Sequence, residues 1–351
     1  MSETSAILAQ MVDRLFTDHV DETLLAPTEQ GRWSSNLWRL VEDQGLTMAL
    51  VSEARGGMGA SFHDVSVIAR ACGRHRVPVP LPETIAAGWL LAGAELDMPA
   101  GPLSLGSAHR DDELRLERSG TDWRLSGSAH RVPWGRIAGS VVLAVEQPEA
   151  MLIVHAPCQG SAVEHGSNVA GEFRDTLRFD GHSVEVGSWP AGGTDNPVLM
   201  IGAMMRSSQM AGALADILDR SVTYANDRQQ FGRPIGKLQV IQQYLAVLAA
   251  EAAAVDVAAE AAFIAADENK PELLVAAAKV RAGMAVAQAV GIAHQVHGAI
   301  GFTLEYPLHW STRRLMSWRT EFGSDRHWAI VLGRRMLHLG ADGFWPYITA
   351  N

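Results

Sequence analysis

The sequence predicts an α+β protein whose helices and strands are segregated along the chain, on three observations. Up to about residue 93 apolar residues recur every three or four positions, as in helices. From about 102 to 189 the texture changes to short apolar runs separated by Gly, Asp and Pro, as in strands. After about 197 helical spacing returns, now long and alanine-rich. The expected division is a helical unit over 1–100, a small antiparallel β unit over 101–195 and a helical bundle over 196–351.

In the first unit Leu37, Leu40, Val41 and Leu46, then Val65, Val67, Ile68 and Ala71, mark helical faces. The stretch Glu53-Ala-Arg-Gly-Gly-Met-Gly reads as a turn, and Pro78, Pro80 and Pro82 make 76–82 an extended connector from which helix is excluded. The runs 113–117, 122–125, 141–145, 151–154 and 174–179 read as strands. Further on, Ile241, Leu245, Leu248, Ala252, Val255, Ala259 and Ala262 step alternately by four and three, a seam for antiparallel helix packing. Helices over 271–297 and 307–318 each open with proline, and a last one is expected over 325–339.

Composition narrows the function. With 47% hydrophobic and 19% charged residues the chain of 351 has the make-up of a soluble globular protein. A net charge of -10 argues against a nucleic-acid partner and points to a small molecule or another protein. The cysteines, Cys72 and Cys158, form neither a CxxC pair nor a disulfide framework, which suits a reducing cytoplasm. The amino terminus mixes acids into its apolar positions, unlike a signal peptide, and the most apolar run, 245–266, is interrupted by Glu251, Asp256 and Glu260, so no membrane span is expected.

Generic catalytic motifs fail. Gly232-Arg-Pro-Ile-Gly-Lys-Leu238 is one spacer short of a phosphate loop and has leucine where Ser or Thr would hold magnesium. There is no GxGxxG after a strand, no HExxH and no GxSxG. His294 and His297 share a helix face but read as structural, so no metal is expected. Asp216, Asp219 and Asp227 read as an exposed charged face, and Trp310, Trp318 and Trp328 as core.

Two blocks carry a specific signal. Tyr224-Ala-Asn-Asp-Arg-Gln-Gln-Phe-Gly-Arg-Pro-Ile-Gly-Lys-Leu-Gln239 resembles the acyl-CoA dehydrogenase signature R-x-Q-F-G-x-P-I followed by a glutamine. Gln295-Val-His-Gly-Ala-Ile-Gly-Phe302 resembles that family's Q-x-x-G-G-x-G-[FY] element, in the right order downstream. Leu37 to Gly59, and Trp123-Arg-Leu-Ser-Gly127, add weaker similarity. Arg228 offers a planar, permanently charged fork for a pyrophosphate, and Gly232 and Gly298 remove side chains where backbone approaches a ligand. The resemblance implies the acyl-CoA dehydrogenase fold and an FAD shared across a subunit interface. It puts Arg228, Gln230, Phe231, Gln239, Gln295, Gly298 and Ala299 in the positions that reach a neighbouring subunit's FAD.

The chain departs from the family where the chemistry lies. Family enzymes remove the α proton of an acyl-CoA with a glutamate while the β hydrogen leaves as hydride to the flavin. An ungapped count puts Phe322 at that glutamate position, with Glu321 beside it as a substitute candidate. The alternative glutamate position of some members falls on Gly202, followed by Ala203 where arginine is usual, and nothing like T-E-P-G-x-G-S-D stands between Ser104 and Arg118. The pattern resembles the short partner subunits of bacterial heterotetrameric acyl-CoA dehydrogenases, some of which act on steroid-derived CoA thioesters. It implies α,β-dehydrogenation of an acyl-CoA, bulky or steroid-derived, with a related subunit supplying the glutamate and an electron-transfer protein as acceptor. The alternatives are a self-sufficient homo-oligomer using Glu321 as base, and a flavin-free structural paralogue.

Overall fold

The computed structural model describes residues 3–190 and 196–349. Five helices lead: α1 (Glu3–His19), α2 (Glu22–Glu29), α3 (Ser35–Asp43), α4 (Phe62–Arg74) and α5 (Leu81–Gly93). Side-chain caps from Asp21, Ser34 and Ser61 fix the starts of α2, α3 and α4, most completely at α4, where Ser61 and Asp64 form a reciprocal capping box. The connector after α4 is free of helix from Val77 to Pro80, but it opens with a left-handed turn at Arg76 (φ 60°) rather than extended backbone. Leu81 and Pro82 form the first turn of α5, where the missing N–H of Pro82 costs nothing.

Seven strands follow: β1 (Leu103–Leu105), β2 (Glu113–Ser119), β3 (Asp122–Pro133), β4 (Ser140–Glu146), β5 (Met151–Pro157), β6 (Ala162–Glu164) and β7 (Arg174–Ser188). They form one sheet in the order β1-β4-β5-β7-β3-β2, with β6 also pairing β7. The expectation of a purely antiparallel unit is corrected at one edge, where β1 runs parallel to β4. The β2–β3 hairpin between them lies at the far edge, so the chain returns to β1 from the side that makes the pairing parallel. The expected boundary at 195 lies outside the described residues.

The bundle is built on α6 (Pro197–Asp227), with α7 (Gln239–Asp267), α8 (Glu272–His297), α9 (Leu308–Trp318) and α10 (Asp325–Thr349). The seam predicted on α7 is buried from Leu248 through Ala262, while Ile241 and Leu245 are half-buried at its open end. The last helix continues past 339, but across a kink at Gly340 (φ 69°, ψ 175°), so the expected stop coincides with a break in direction. α8 and the turn after it (Glu272–Phe302) are long and apolar enough to cross a membrane by composition, yet half of that apolar window is buried inside the protein. Asp216 corrects the expectation of an exposed face. It is buried, accepting from Arg220 at 2.9 Å and from Ser311 at 2.5 Å, because α9 and the Arg76 connector cover that side of α6.

α4 and α6 cross with backbone against backbone. A Cβ on Gly73 would collide with the Gln209 carbonyl, and one on Gly212 with the Arg70 carbonyl. Gly212→Ala is therefore expected to lower the unfolding free energy by about 1–3 kcal/mol. Gly291→Ala, on an α8 face with nothing within 4 Å, should leave it unchanged or raise it by up to about 1 kcal/mol. Chemical denaturation of the three proteins checks both.

Candidate functional site

The two motif blocks meet at one end of the bundle. α6 ends at Asp227, and Arg228 turns into extended backbone (φ -74°, ψ 119°) while its N–H stays on the Tyr224 carbonyl. Gln229–Gln230 (β8) pairs with Arg233–Pro234 (β9) around a two-residue loop, Phe231 and Gly232, both left-handed at φ 51° and 73°. That is the backbone of a type I′ hairpin, which glycine accepts and phenylalanine adopts only under strain. The second block closes α8 at His297, after which Gly298 turns out of the helix at φ 64°, ψ -143°. Rings join the blocks: Tyr224 stacks on His297 at 4.6 Å, and the Tyr306 ring lies 4.8 Å from His297.

All seven residues expected to face FAD are exposed, Phe231 at 88%. A Cβ on Gly298 would meet nothing within 4 Å, so its backbone stands open to a ligand. A guanidinium, three primary amides and a bare ring on one outward surface fit a dinucleotide lying outside this chain.

The interior is different. Phe322 is buried with φ 51°, and a Cβ placed on Gly202 would collide with its ring. The two positions that the sequence count matched to a glutamate thus face each other, with the Phe322 ring against Gly202. The Arg206 guanidinium sits over this ring at 5.5 Å and over Trp318 at 5.7 Å. The cleft beside Phe322, between Gly106–His109, His130–Pro133 and Thr320, encloses about 140 Å³. Pockets for cofactor-sized ligands start at about 300 Å³, so this one does not fit a flavin ring and an acyl thioester.

Glu321 points inward, with 8% of its side chain exposed, into arginines. Its Oε1 accepts from Arg174 Nε at 2.7 Å and Asn168 Nδ2 at 3.1 Å, and its Oε2 from Arg206 Nε at 2.8 Å and Arg174 Nη2 at 2.9 Å. Burial alone would raise this carboxyl, but Arg174 and Arg206 outweigh it and hold it far below the carboxylate range. So weak a base, with its lone pairs engaged, is poorly matched to removing a carbon-bound proton.

The same charges continue both ways. Arg206 Nη2 donates to Glu83 on α5 at 2.6 Å, and Arg174 Nη2 to Glu172 at 2.9 Å. Arg314 on α9 lies 3.2 Å from Glu172 and 3.9 Å from Glu29 on α2. Lys279 of α8, fully buried, clamps the turn after α9 by donating to the carbonyls of Trp318 (3.1 Å), Arg319 (2.9 Å) and Gly323 (2.8 Å). Burial pushes its ammonium down to about 7 against the pull of Glu321, while three carbonyls for three N–H groups favour the charged form. Sequence reasoning singled out none of Glu83, Arg174, Arg206 and Lys279. The available signal was a lone charge in an apolar helical run, as Arg206 is between Met200 and Met210.

Residues 196–337 match the acyl-CoA dehydrogenase C-terminal domain family. The acyl-CoA dehydrogenase IpdE2 of Mycolicibacterium smegmatis is 27% identical over 314 residues, covering 88% of this chain and 91% of that protein. Among solved structures, the ChsE4-ChsE5 complex from Mycobacterium tuberculosis superposes with a TM-score of 0.87 at 22% identity, over 95% of this chain and 97% of that one. A variant of the Tcur3481-Tcur3483 steroid ACAD gives 0.86 at 23% identity, over 95% and 97%. Residues 196–337 thus carry an acyl-CoA dehydrogenase C-terminal domain, and most of the chain's length is similar to acyl-CoA dehydrogenases.

Two stability predictions follow from the interior. Glu321→Gln leaves buried guanidiniums short of a counter-charge and should cost about 3–5 kcal/mol at neutral pH. Because the folded carboxyl titrates below its ordinary value of 4.5, its contribution is full above that value and fades as pH falls below it, so wild type and variant should converge in acid denaturation. Separately, Phe322→Ala should cost about 3–5 kcal/mol and Gly202→Ala about 1–3 kcal/mol. The double variant should cost at least 1 kcal/mol less than their sum, about the size of a contact coupling, since the smaller side chain relieves the collision.

Proposed function

We propose that this chain is the partner subunit of a mixed acyl-CoA dehydrogenase, completing the FAD site of a related chain that supplies the catalytic glutamate. The observation that carries the reading is Phe322 packed on Gly202, with Glu321 tied to Arg174 and Arg206. No carboxylate free to act as base occupies either family position, while the outward flavin motifs are kept. The small cleft beside Phe322 and the names of two structural relatives, which describe a two-protein complex and a steroid enzyme, support it. The substrate class is a bulky or steroid-derived acyl-CoA, desaturated between Cα and Cβ, with an electron-transfer protein as acceptor.

In that assembly Arg228 would pair with the pyrophosphate, and Gln230, Gln239 and Gln295 would hydrogen-bond the ligand's polar edges. Phe231 would cover an apolar face, while Gly298 and Ala299 would let backbone approach. FAD when bound supplies the hydride acceptor. This chain's residues bind and orient it and exclude water, and the α proton is left to the partner's base.

The purified chain alone should be colourless and inactive. Co-expressed with an acyl-CoA dehydrogenase chain from the same genome that retains the glutamate, it should yield a yellow complex. Arg228→Ala should cut FAD affinity of that complex about 10–100-fold, as loss of a charge-assisted contact worth about 1.5–3 kcal/mol requires. Flavin bound by the lone chain, with turnover abolished by Glu321→Gln, would instead establish a self-sufficient enzyme.

A further inference from the structure

We infer that His297 is a positioning residue that registers the two halves of the flavin-facing surface, fixing the Arg228 end of α6 against the Gly298 turn of α8. The inference rests on the reading that this surface meets FAD. His297 itself is buried, at 3% exposure, and touches no ligand position directly.

The hydrogen bonds define its state. Nδ1 lies 2.7 Å from the Ala293 carbonyl, which can only accept, so Nδ1 carries the proton and donates. Nε2 then presents a lone pair, and the Tyr306 hydroxyl donates into it at 3.1 Å. One face of the ring stacks on Tyr224 at an interplanar angle of 29°, and Tyr306 meets Tyr224 edge-on at 5.8 Å. Tyr224 is one helical turn before Arg228 and holds that residue's N–H at 2.9 Å on its carbonyl. Gly298 follows His297 directly and has no side chain to fix its own turn. Its placement relative to Arg228 is therefore set by the ring stack.

The arrangement needs neutral imidazole. Protonating Nε2 would turn it from acceptor to donor, so the Tyr306 hydroxyl would have to rotate and accept rather than donate, and the imidazolium would lie near Arg220. Burial, then the charges of the neighbouring His294 and Arg220, push His297 below its ordinary range, against hydrogen bonding to the Ala293 and Arg220 backbone that favours the charged form. The other groups facing this cluster are Tyr224 on α6, Asp216 and Asp227 of the same helix toward Tyr306, and His309 of α9, whose Nδ1 lies 2.8 Å from the Tyr306 carbonyl. α7 adds the half-buried Tyr244.

The test measures FAD dissociation constants of the two-chain complex from about pH 5 to 8. In wild type the constant should rise as pH falls below 6.5, the ordinary histidine value. Tyr306→Phe removes the donor to Nε2, and His297→Phe keeps a ring while losing both hydrogen bonds. Each should weaken FAD binding about tenfold near neutrality, the effect of about 1.4 kcal/mol, and His297→Phe should also remove the acid limb. A purely structural histidine would lower thermal midpoints while leaving affinity and acid limb as in wild type, which would overturn the inference. Should His297→Phe not fold, Tyr306→Phe and the imidazole ¹⁵N shifts of the isolated chain decide, with an Nε2–H tautomer counting against the inference. Arg228→Ala separates the two readings. If it too leaves FAD affinity untouched, the surface does not meet FAD and both fall. If it weakens FAD while His297→Phe and Tyr306→Phe do not, only the positioning role fails.

Discussion

A buried run of alternating charge, from Glu29 through Arg314, Glu172, Arg174, Glu321 and Arg206 to Glu83, governs how the rest of this structure can be arranged. Each of these groups alone in the interior would cost several kcal/mol. Paired, they require α2, α5, α6, α9 and the β7 end of the sheet to dock together, since removing any one element strands a charge. The ladder is thus a statement about specificity of assembly more than about net stability.

It also explains the altered interior. Glu321 and Phe322 both meet α6 at different points: the carboxylate binds Arg206 together with Arg174, while the Phe322 ring packs against Gly202 one turn earlier, beneath the Arg206 guanidinium. Lys279 holds the turn's carbonyls in that posture, and Phe322 accepts left-handed backbone as the cost. Gly202 is small because the ring needs the room. Phe322 is a packing contact, and the carboxylate beside it is a structural counter-ion.

The end of the bundle that carries the two motif blocks escapes this constraint. It is built from α6, α7 and α8 around a separate apolar core and a ring cluster, and its motif residues look outward. The charged interior and the outward motif surface therefore coexist in one chain without conflict between the two regions.

Much of the fold was legible because periodicity is a local property. The strand runs, the seam on α7 and the proline-led starts of α8 and α9 all follow from which residues repeat on one face. The parallel pairing of β1 was not legible, since strand direction depends on where a distant hairpin lies. Asp216 read as exposed for the same reason: its cover comes from Arg76 and α9, far along the chain. For the site, the sequence by itself placed the two motif blocks in order and, by an ungapped count, put Phe322 and Gly202 where the resemblance leads one to expect glutamates. Only the tertiary structure decided that those two positions touch, that Glu321 is bound by two arginines, and that His297 ties the motifs together. Contacts among residues a hundred positions apart are set by packing, which no local spacing encodes.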